Sequence, residues 1–296
     1  MKKFLAIFLL CFLLTSCAGN SDIAIEVDGN EITVDSYGEE LNYFLKILKP
    51  EELNEEFYIN IADTIVLDKI IELDLIDNKN EINDNELEEY SDKIISKLGS
   101  KEDLTRSVES HGLKYEDFEK SLKKSANANK HYEIFKNNIE IKEADLEKFF
   151  NKNKENIFEY KIADIMVQSK GEGEGLIKEL GDNNSNLENI IKRYNDDSFE
   201  GKKAYISDYI NRSNPLFIDD NIMALEIGEK LITYYENNYH VIILLDKLEN
   251  YEDLVDQTRE EYIKREYLSY INELCKEYDV MIYKNNIKNY VKMSDE

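Results

Sequence analysis

The sequence has no tryptophan and only two prolines, Pro50 and Pro215, among its 296 residues. An interior proline removes a helical hydrogen bond and clashes with the preceding turn, so this scarcity permits long helices. Cysteine is as sparse. Cys11 lies in an N-terminal leader, Cys17 at its end, and Cys275 alone on a predicted helix. That excludes a disulfide framework, and Cys275 is expected to be a small buried apolar residue. The three histidines, His111, His131 and His240, lie far apart with no cysteine or carboxylate pattern around them, so neither a metal site nor a cofactor is expected. His111 and His131 fall on polar helices and are expected to be solvated. Positive charge is short too: 37 Lys and Arg stand against 63 Asp and Glu, a formal net charge of −26. Such a surface repels phosphates and anionic headgroups, which argues against nucleic acid as a partner.

No hydrophobic run is long enough to span a membrane. The longest, Phe4 to Leu14, follows Lys2 and Lys3 and has the length of a signal-peptide core. It ends in Leu14-Thr15-Ser16-Cys17. This resembles the lipobox of bacterial lipoproteins, which implies removal of residues 1–16 and acylation of Cys17. The lipid would anchor the chain to a membrane without a spanning helix, in the cell envelope and outside the cytoplasm.

What is present is a folded composition, 42% hydrophobic and 34% charged, long enough for two modest cores. Ile23 to Val27 alternates like a strand, and Asp28-Gly29-Asn30 reads as a turn. Ser36 with Glu39 reads as a capping box ahead of a first helix that Pro50 ends. Apolar residues at helical spacing then predict helices from Phe57, from Asn83 to about Leu98, from Ser100 to Gly112, from Tyr115, and from Ala144. From residue 161 the composition changes. Ile162 to Val167 reads as a strand and Gly171 to Gly175 as a loop. Leu176–Leu180, Leu187–Tyr194 and Asp219–Leu225 read as short helices. Leu231–Tyr235 and Tyr239–Leu245 read as strands joined by a tight turn at Asn237-Asn238. A final helix near Asp253 to Tyr278 precedes a strand, Val280 to Tyr283, whose natural mate is Ile23 to Val27. The fold class is therefore α+β: a mostly helical domain (17–160), a small inserted α+β domain (161–248), and a returning helix and strand (249–296) that complete the first.

The pieces Glu26-Val27-Asp28-Gly29, Val66 to Ile71, Ile82 to Glu86, Gly112-Leu113 and Ile141 to Asp145 come in the order of a known pattern. The region from Ala24 to about Phe158 resembles the N-terminal domain of SurA- and PrsA-type exported chaperones. Residues 161–247 resemble a degenerate parvulin-type peptidyl-prolyl isomerase domain. Its opening strand would be Ile162-Ala163-Asp164-Ile165-Met166-Val167, with Asp164 where the family has an active-site histidine. Tyr194-Asn195-Asp196-Asp197 would place Asp197 at the family's acidic position. The family's glycine-rich turn is degraded to Glu200-Gly201-Lys202-Lys203-Ala204. Phe217 falls at the phenylalanine of the proline pocket, and Asn238 to Ile242 retains the second histidine as His240.

The resemblance implies catalytic positions Asp164, Asp197 and His240 and a substrate slot of Phe217, Met223 and Leu225. A hydrogen bond from His240 to Asp164 would stabilise the charged imidazolium and hold its orientation. The implied function is a lipid-anchored folding factor for unfolded or newly exported polypeptides, with weak or absent isomerase activity. Two alternatives stand beside it: an active parvulin isomerase, and a surface lipoprotein with a structural or adhesion role.

Overall fold

The N-terminal hairpin sets the frame of the first half of the molecule. In the computed structural model, residues 22–50, 53–196, 203–218 and 220–294 are described. In chain order the elements begin with β1 (Ile23–Val27), β2 (Asn30–Thr33), α1 (Val34–Leu48), α2 (Glu55–Asp77), α3 (Asp84–Leu98), α4 (Lys101–Ser110) and α5 (Tyr115–Asn138). Then come α6 (Glu143–Ile157), β3 (Glu159–Val167), α7 (Lys170–Leu180), α8 (Leu187–Tyr194), β4 (Ala204–Ile206), β5 (Lys230–Tyr235) and β6 (Asn238–Leu248). The chain closes with α9 (Val255–Leu274), β7 (Val280–Ile282) and α10 (Lys284–Ser294). Two compact units result: residues 1–139 with 266–296, and residues 140–265.

In the first unit β1 turns into β2 through Asp28 and Gly29, both at positive φ (+46° and +74°), which fits the twist of a two-residue hairpin. β7 pairs antiparallel on the other side of β1, with Ile25 opposite Ile282 and Val27 opposite Val280, giving the order β2-β1-β7. The expected mating of the two chain ends is therefore present. The Asp28 amide donates to the Asp279 carbonyl at 2.8 Å, and the Asn286 side chain donates to the Ile23 carbonyl at 2.7 Å. Ala24, Ile25 and Val27 are buried with Tyr37 and Leu41 of α1, Ile61, Val66 and Ile70 of α2, and Ile271, Leu274 and Cys275. Full burial of each Ile or Leu contributes about 1.5–3 kcal/mol. Cys275 is a buried thiol, as expected. Gly38 lets the Tyr290 ring of α10 lie against α1: a Cβ at that position would fall 2.0 Å from the Tyr290 hydroxyl.

Local signals set most helix starts. Asn83 and Glu86 form a capping box at α3, and Ser100 accepts from the Asp103 amide at α4. The first helix differs from the sequence reading. Its N-cap is Thr33, whose hydroxyl accepts from the Ser36 amide, so α1 begins ahead of Ser36 and the Ser36–Glu39 box is not the cap.

The second unit is built on an antiparallel sheet of order β4-β3-β6-β5. Ala163, Ile165, Val167, Val241 and Ile243 pack against Leu176, Leu180, Leu187, Ile190 and Tyr194 of α7 and α8. Tyr160, Ile162, Ile242 and Leu244 pack on Leu216, Phe217, Ile222 and Leu225. The stretch Gly171 to Gly175 is helical and not a loop. Ser169 accepts from the Glu172 amide while the Glu172 carboxylate accepts from the Gln168 amide, a reciprocal cap that starts α7 despite its glycines. Gly173 sits close under the sheet: a Cβ there would lie 3.1 Å from Ile232 and 3.3 Å from Val241, tighter than ordinary contact. Among the described residues of the segment read as a helix, Asp219–Leu225, there is only a short 3-10 turn, Asp220–Ile222, preceded by another at Pro215–Ile218. The β5–β6 turn sits one residue earlier than expected, on Glu236 and Asn237, both at positive φ.

The division between units also departs from the sequence reading, which placed it at residues 160 and 249. α6 goes with the sheet unit, because Phe149, Phe150 and Ile157 share a cluster with Leu254, Tyr251 and Tyr262. Among the described residues no helix is long and apolar enough to cross a membrane. The leader and Cys17 lie outside the described residues.

Candidate functional site

Strand alternation decides which side chains meet. Asp164 follows Ile162 by two residues on β3, and His240 precedes Ile242 by two on β6, so both share the face of Phe217 and Leu225. In the register Asp164 stands opposite Ile242 and His240 opposite Met166, which makes the two polar residues diagonal neighbours. His240 Nδ1 lies 2.8 Å from Asp164 Oδ1. Both residues are buried, at 8% and 3% exposure.

The hydrogen bond to Asp164 holds the His240 imidazole above its ordinary pKa, outweighing the opposite effect of burial. The proton on Nδ1 is the one given to Asp164. The second ring nitrogen, Nε2, is buried and has no partner in good hydrogen-bond geometry. Its nearest aromatic neighbour is Tyr235, whose ring stands edge-on at 5.9 Å. The Tyr235 backbone also interacts with the ring and adds to the upward shift.

Sequence reasoning missed Tyr205. It sits on β4 directly opposite Asp164, and its hydroxyl hydrogen-bonds the Asp164 carboxylate. Burial first, then Asp164, pushes the phenol up to about 12. Nothing in the local sequence marks Tyr205; only the antiparallel register of β4 on β3 brings it to the site.

The expected slot residues lie on the same face. Phe217 is 4% exposed and packs on the Tyr160 ring at 5.1 Å. Leu225 is buried and Met223 half-buried in the same cluster. They are packed against one another and against Ile162 and Ile242, as core residues are. Asp197 lies outside the described residues. Its neighbour Asn195 plays a structural part. The Asn195 side-chain amide donates to the Ala204 carbonyl at 2.7 Å, and its side-chain oxygen accepts from the Ala204 amide at 3.0 Å. It thereby closes the outer edge of β4 in place of another strand.

The other two histidines separate. His111 is exposed, as expected. His131 is not solvated: it is 3% exposed on α5, between Asp74 of α2 and Tyr267 of α9. The helical periodicity of α5 is weak, so its buried side could not be read from spacing.

The helical unit also carries a groove of about 270 Å³ between α1, α2 and α5, with Tyr43 and Phe44 beside Glu40, Asp68 and Lys124. Lys124 lies 2.6 Å from Glu40 and 3.7 Å from Asp68. Burial raises the Asp68 carboxyl to about 6, and Lys124 offsets only part of that.

No family model and no curated protein matches the chain. Solved structures do. One of the SurA-like chaperones PEB4 and Cj1289 of Campylobacter jejuni is 18% identical, over 88% of this chain and 98% of that one, with a TM-score of 0.44. The foldase PrsA of Lactococcus lactis is 15% identical over 91% and 98%, with a TM-score of 0.40. PrsA of Bacillus subtilis is 15% identical over 93% of each chain, with a TM-score of 0.33.

Proposed function

We propose that the protein is an extracytoplasmic folding factor, anchored by lipid on Cys17, that binds unfolded or newly exported polypeptides through its helical unit. The sheet unit inserted in it has weak or absent prolyl isomerase activity. The observation that carries the reading is the closure of β7 on β1, which makes a helical body from two distant chain segments and leaves the sheet unit as an insert. That is the arrangement the resemblance to SurA- and PrsA-type chaperones implies. The helical unit leaves Ile47, Leu48 and Leu53 exposed along the α1–α2 connection, apolar surface suited to an unfolded chain.

Packing supports the reading of a weak isomerase. Rotation about a peptide bond meets a barrier of about 18–20 kcal/mol set by amide resonance. A catalyst lowers it by desolvating the twisted amide and favouring its changed electron distribution. In this reading Asp164 orients His240, Nε2–H faces the substrate amide, Asp197 adds a polar group, and Phe217, Met223 and Leu225 form the slot. Phe217 and Leu225 are buried, so a proline ring would have to displace packed side chains before reaching His240. The buried Asp164–His240 pair favours the second reading, an active isomerase whose site opens on binding.

Two assays separate the readings. Suppression of aggregation of a denatured client, retained in His240→Ala, supports the folding factor. Protease-coupled turnover of a prolyl peptide, lost in His240→Ala, supports the enzyme. Failure of both sinks each reading. Loss of membrane association in Cys17→Ser tests the anchor.

A further inference from the structure

The buried His131 stands at the wall of a cavity of about 350 Å³ in the helical unit. α2, α5 and α9 supply its lining, including Asp74, His131, Phe135 and Tyr270. The Tyr270 ring is stacked on both aromatic neighbours, His131 at 5.8 Å and Phe135 at 5.2 Å, each at 27°. Tyr270 is also 37% exposed, so the wall is reachable from solvent.

Asp74 supplies the charge. Its Oδ2 lies 3.1 Å from His131 Nε2, and its Oδ1 accepts from the Asn78 amide at 3.0 Å. Tyr267 meets the other ring nitrogen of His131 at 2.8 Å. With Nε2–H donating to Asp74 and the Tyr267 hydroxyl donating to Nδ1, the imidazole is neutral and both nitrogens are satisfied. Burial agrees, holding His131 below its ordinary pKa against the pull of Asp74. The anion is therefore oriented but not cancelled. Among the described residues Asp74 has no lysine or arginine partner, and no lysine or arginine lines the cavity. After burial, Asp74 is the next cause that raises the phenols of Tyr270 and Tyr278.

A fixed carboxylate beside a stacked, half-open aromatic wall attracts a cation through charge and through the ring faces together. A metal is poorly served: among the described residues no three His, Cys, Asp or Glu side chains gather to hold one. A chain of net charge −26 draws cationic groups toward it as well. We propose that this cavity receives the cationic side chain, arginine or lysine, of a polypeptide held by the helical unit. The site stands on its own geometry; only the source of its ligand rests on the folding-factor reading.

The test uses the full chain and two probes. N-acetyl-arginine amide is titrated while the ring signals of His131 are followed by NMR. Separately, an unstructured peptide with a single arginine is compared with its citrulline counterpart, which keeps the shape and loses the charge. The expected result is a shift of the His131 signals and binding of the arginine peptide about tenfold tighter than the citrulline one. Tyr270→Leu, at a half-open position, and Asp74→Asn are each expected to erase that preference. Unmoved His131 signals, or equal affinity for the two peptides in the unaltered protein, would overturn the proposal. Shifts with the arginine amide in a protein that binds no unfolded client would uphold the site and sink the folding-factor reading.

Discussion

Replacing Asp164 by asparagine removes one charge from the sheet unit and leaves its shape. The pair it disrupts is 2.8 Å apart, with side-chain exposures of 10% for His240 and 4% for Asp164, so water screens it little. A hydrogen bond to a charged group contributes about 1.5–3 kcal/mol, and a neutral one about 0.5–1.5. Asp164→Asn keeps the neutral bond, so the net loss is about 1–2 kcal/mol. The full penalty of an abandoned buried charge does not apply, because histidine can shed its proton. The sign of the titration follows from the causes. Asp164 raises His240 and burial lowers it. Without the carboxylate the largest raising cause is gone and only the Tyr235 backbone and Glu236 still oppose burial, so the His240 midpoint falls. In the unaltered protein the raised value gives stability that is complete below the unfolded pKa and is lost as pH rises through the folded one. The chain has three histidines, so ring NMR with one His→Gln variant per residue assigns every signal. A His240 midpoint below 6.5 in the unaltered protein, or one unchanged in Asp164→Asn, would refute the reasoning.

Three further outcomes are expected. His131 is lowered by burial, so its sign is opposite: stability of the helical unit is present above 6.5 and falls as pH drops below it. Hydrogen exchange in α2 and α5, corrected for intrinsic rates, should show protection falling between about pH 7 and pH 5.5 in the unaltered protein, with a smaller fall in His131→Gln. Val280→Asp would set a charge in the β1–β7 core beside Val27, at a cost of about 3 kcal/mol or more, and should expose α1 and α2 to limited proteolysis while sparing β3 and β6. Asn195→Ala leaves the outward amide and carbonyl of Ala204 without their side-chain partner and should cost about 1–3 kcal/mol, read as faster amide exchange in β4 with β5 unchanged.

Much of this was legible where the signal is local. The helix starts at Asn83 and Ser100, the α8 span and the β1–β7 mating all follow from short motifs or clean alternation. Errors arose where a stronger competitor sat nearby. Thr33 outcompeted Ser36 for the first cap, and the Ser169–Glu172 box overrode a glycine-rich stretch that reads as a loop. At the site, the Asp164–His240 contact was expected from the two positions matched to the parvulin pattern, and it is present. Tyr205 was not, since β4 is only three residues long and its register is set by tertiary pairing. His131 was hidden for the reverse reason: helix α5 has polar residues on several sides, and only packing against Tyr267 and Tyr270 shows which side is buried.

The helical unit is proposed to hold unfolded polypeptides without help from prolyl isomerisation. Light scattering of a denatured client, diluted into the full chain and into its His240→Ala variant, tests it most directly. Equal suppression of aggregation by both proteins is expected. A client that aggregates at its unassisted rate in a molar excess of the unaltered protein would contradict it.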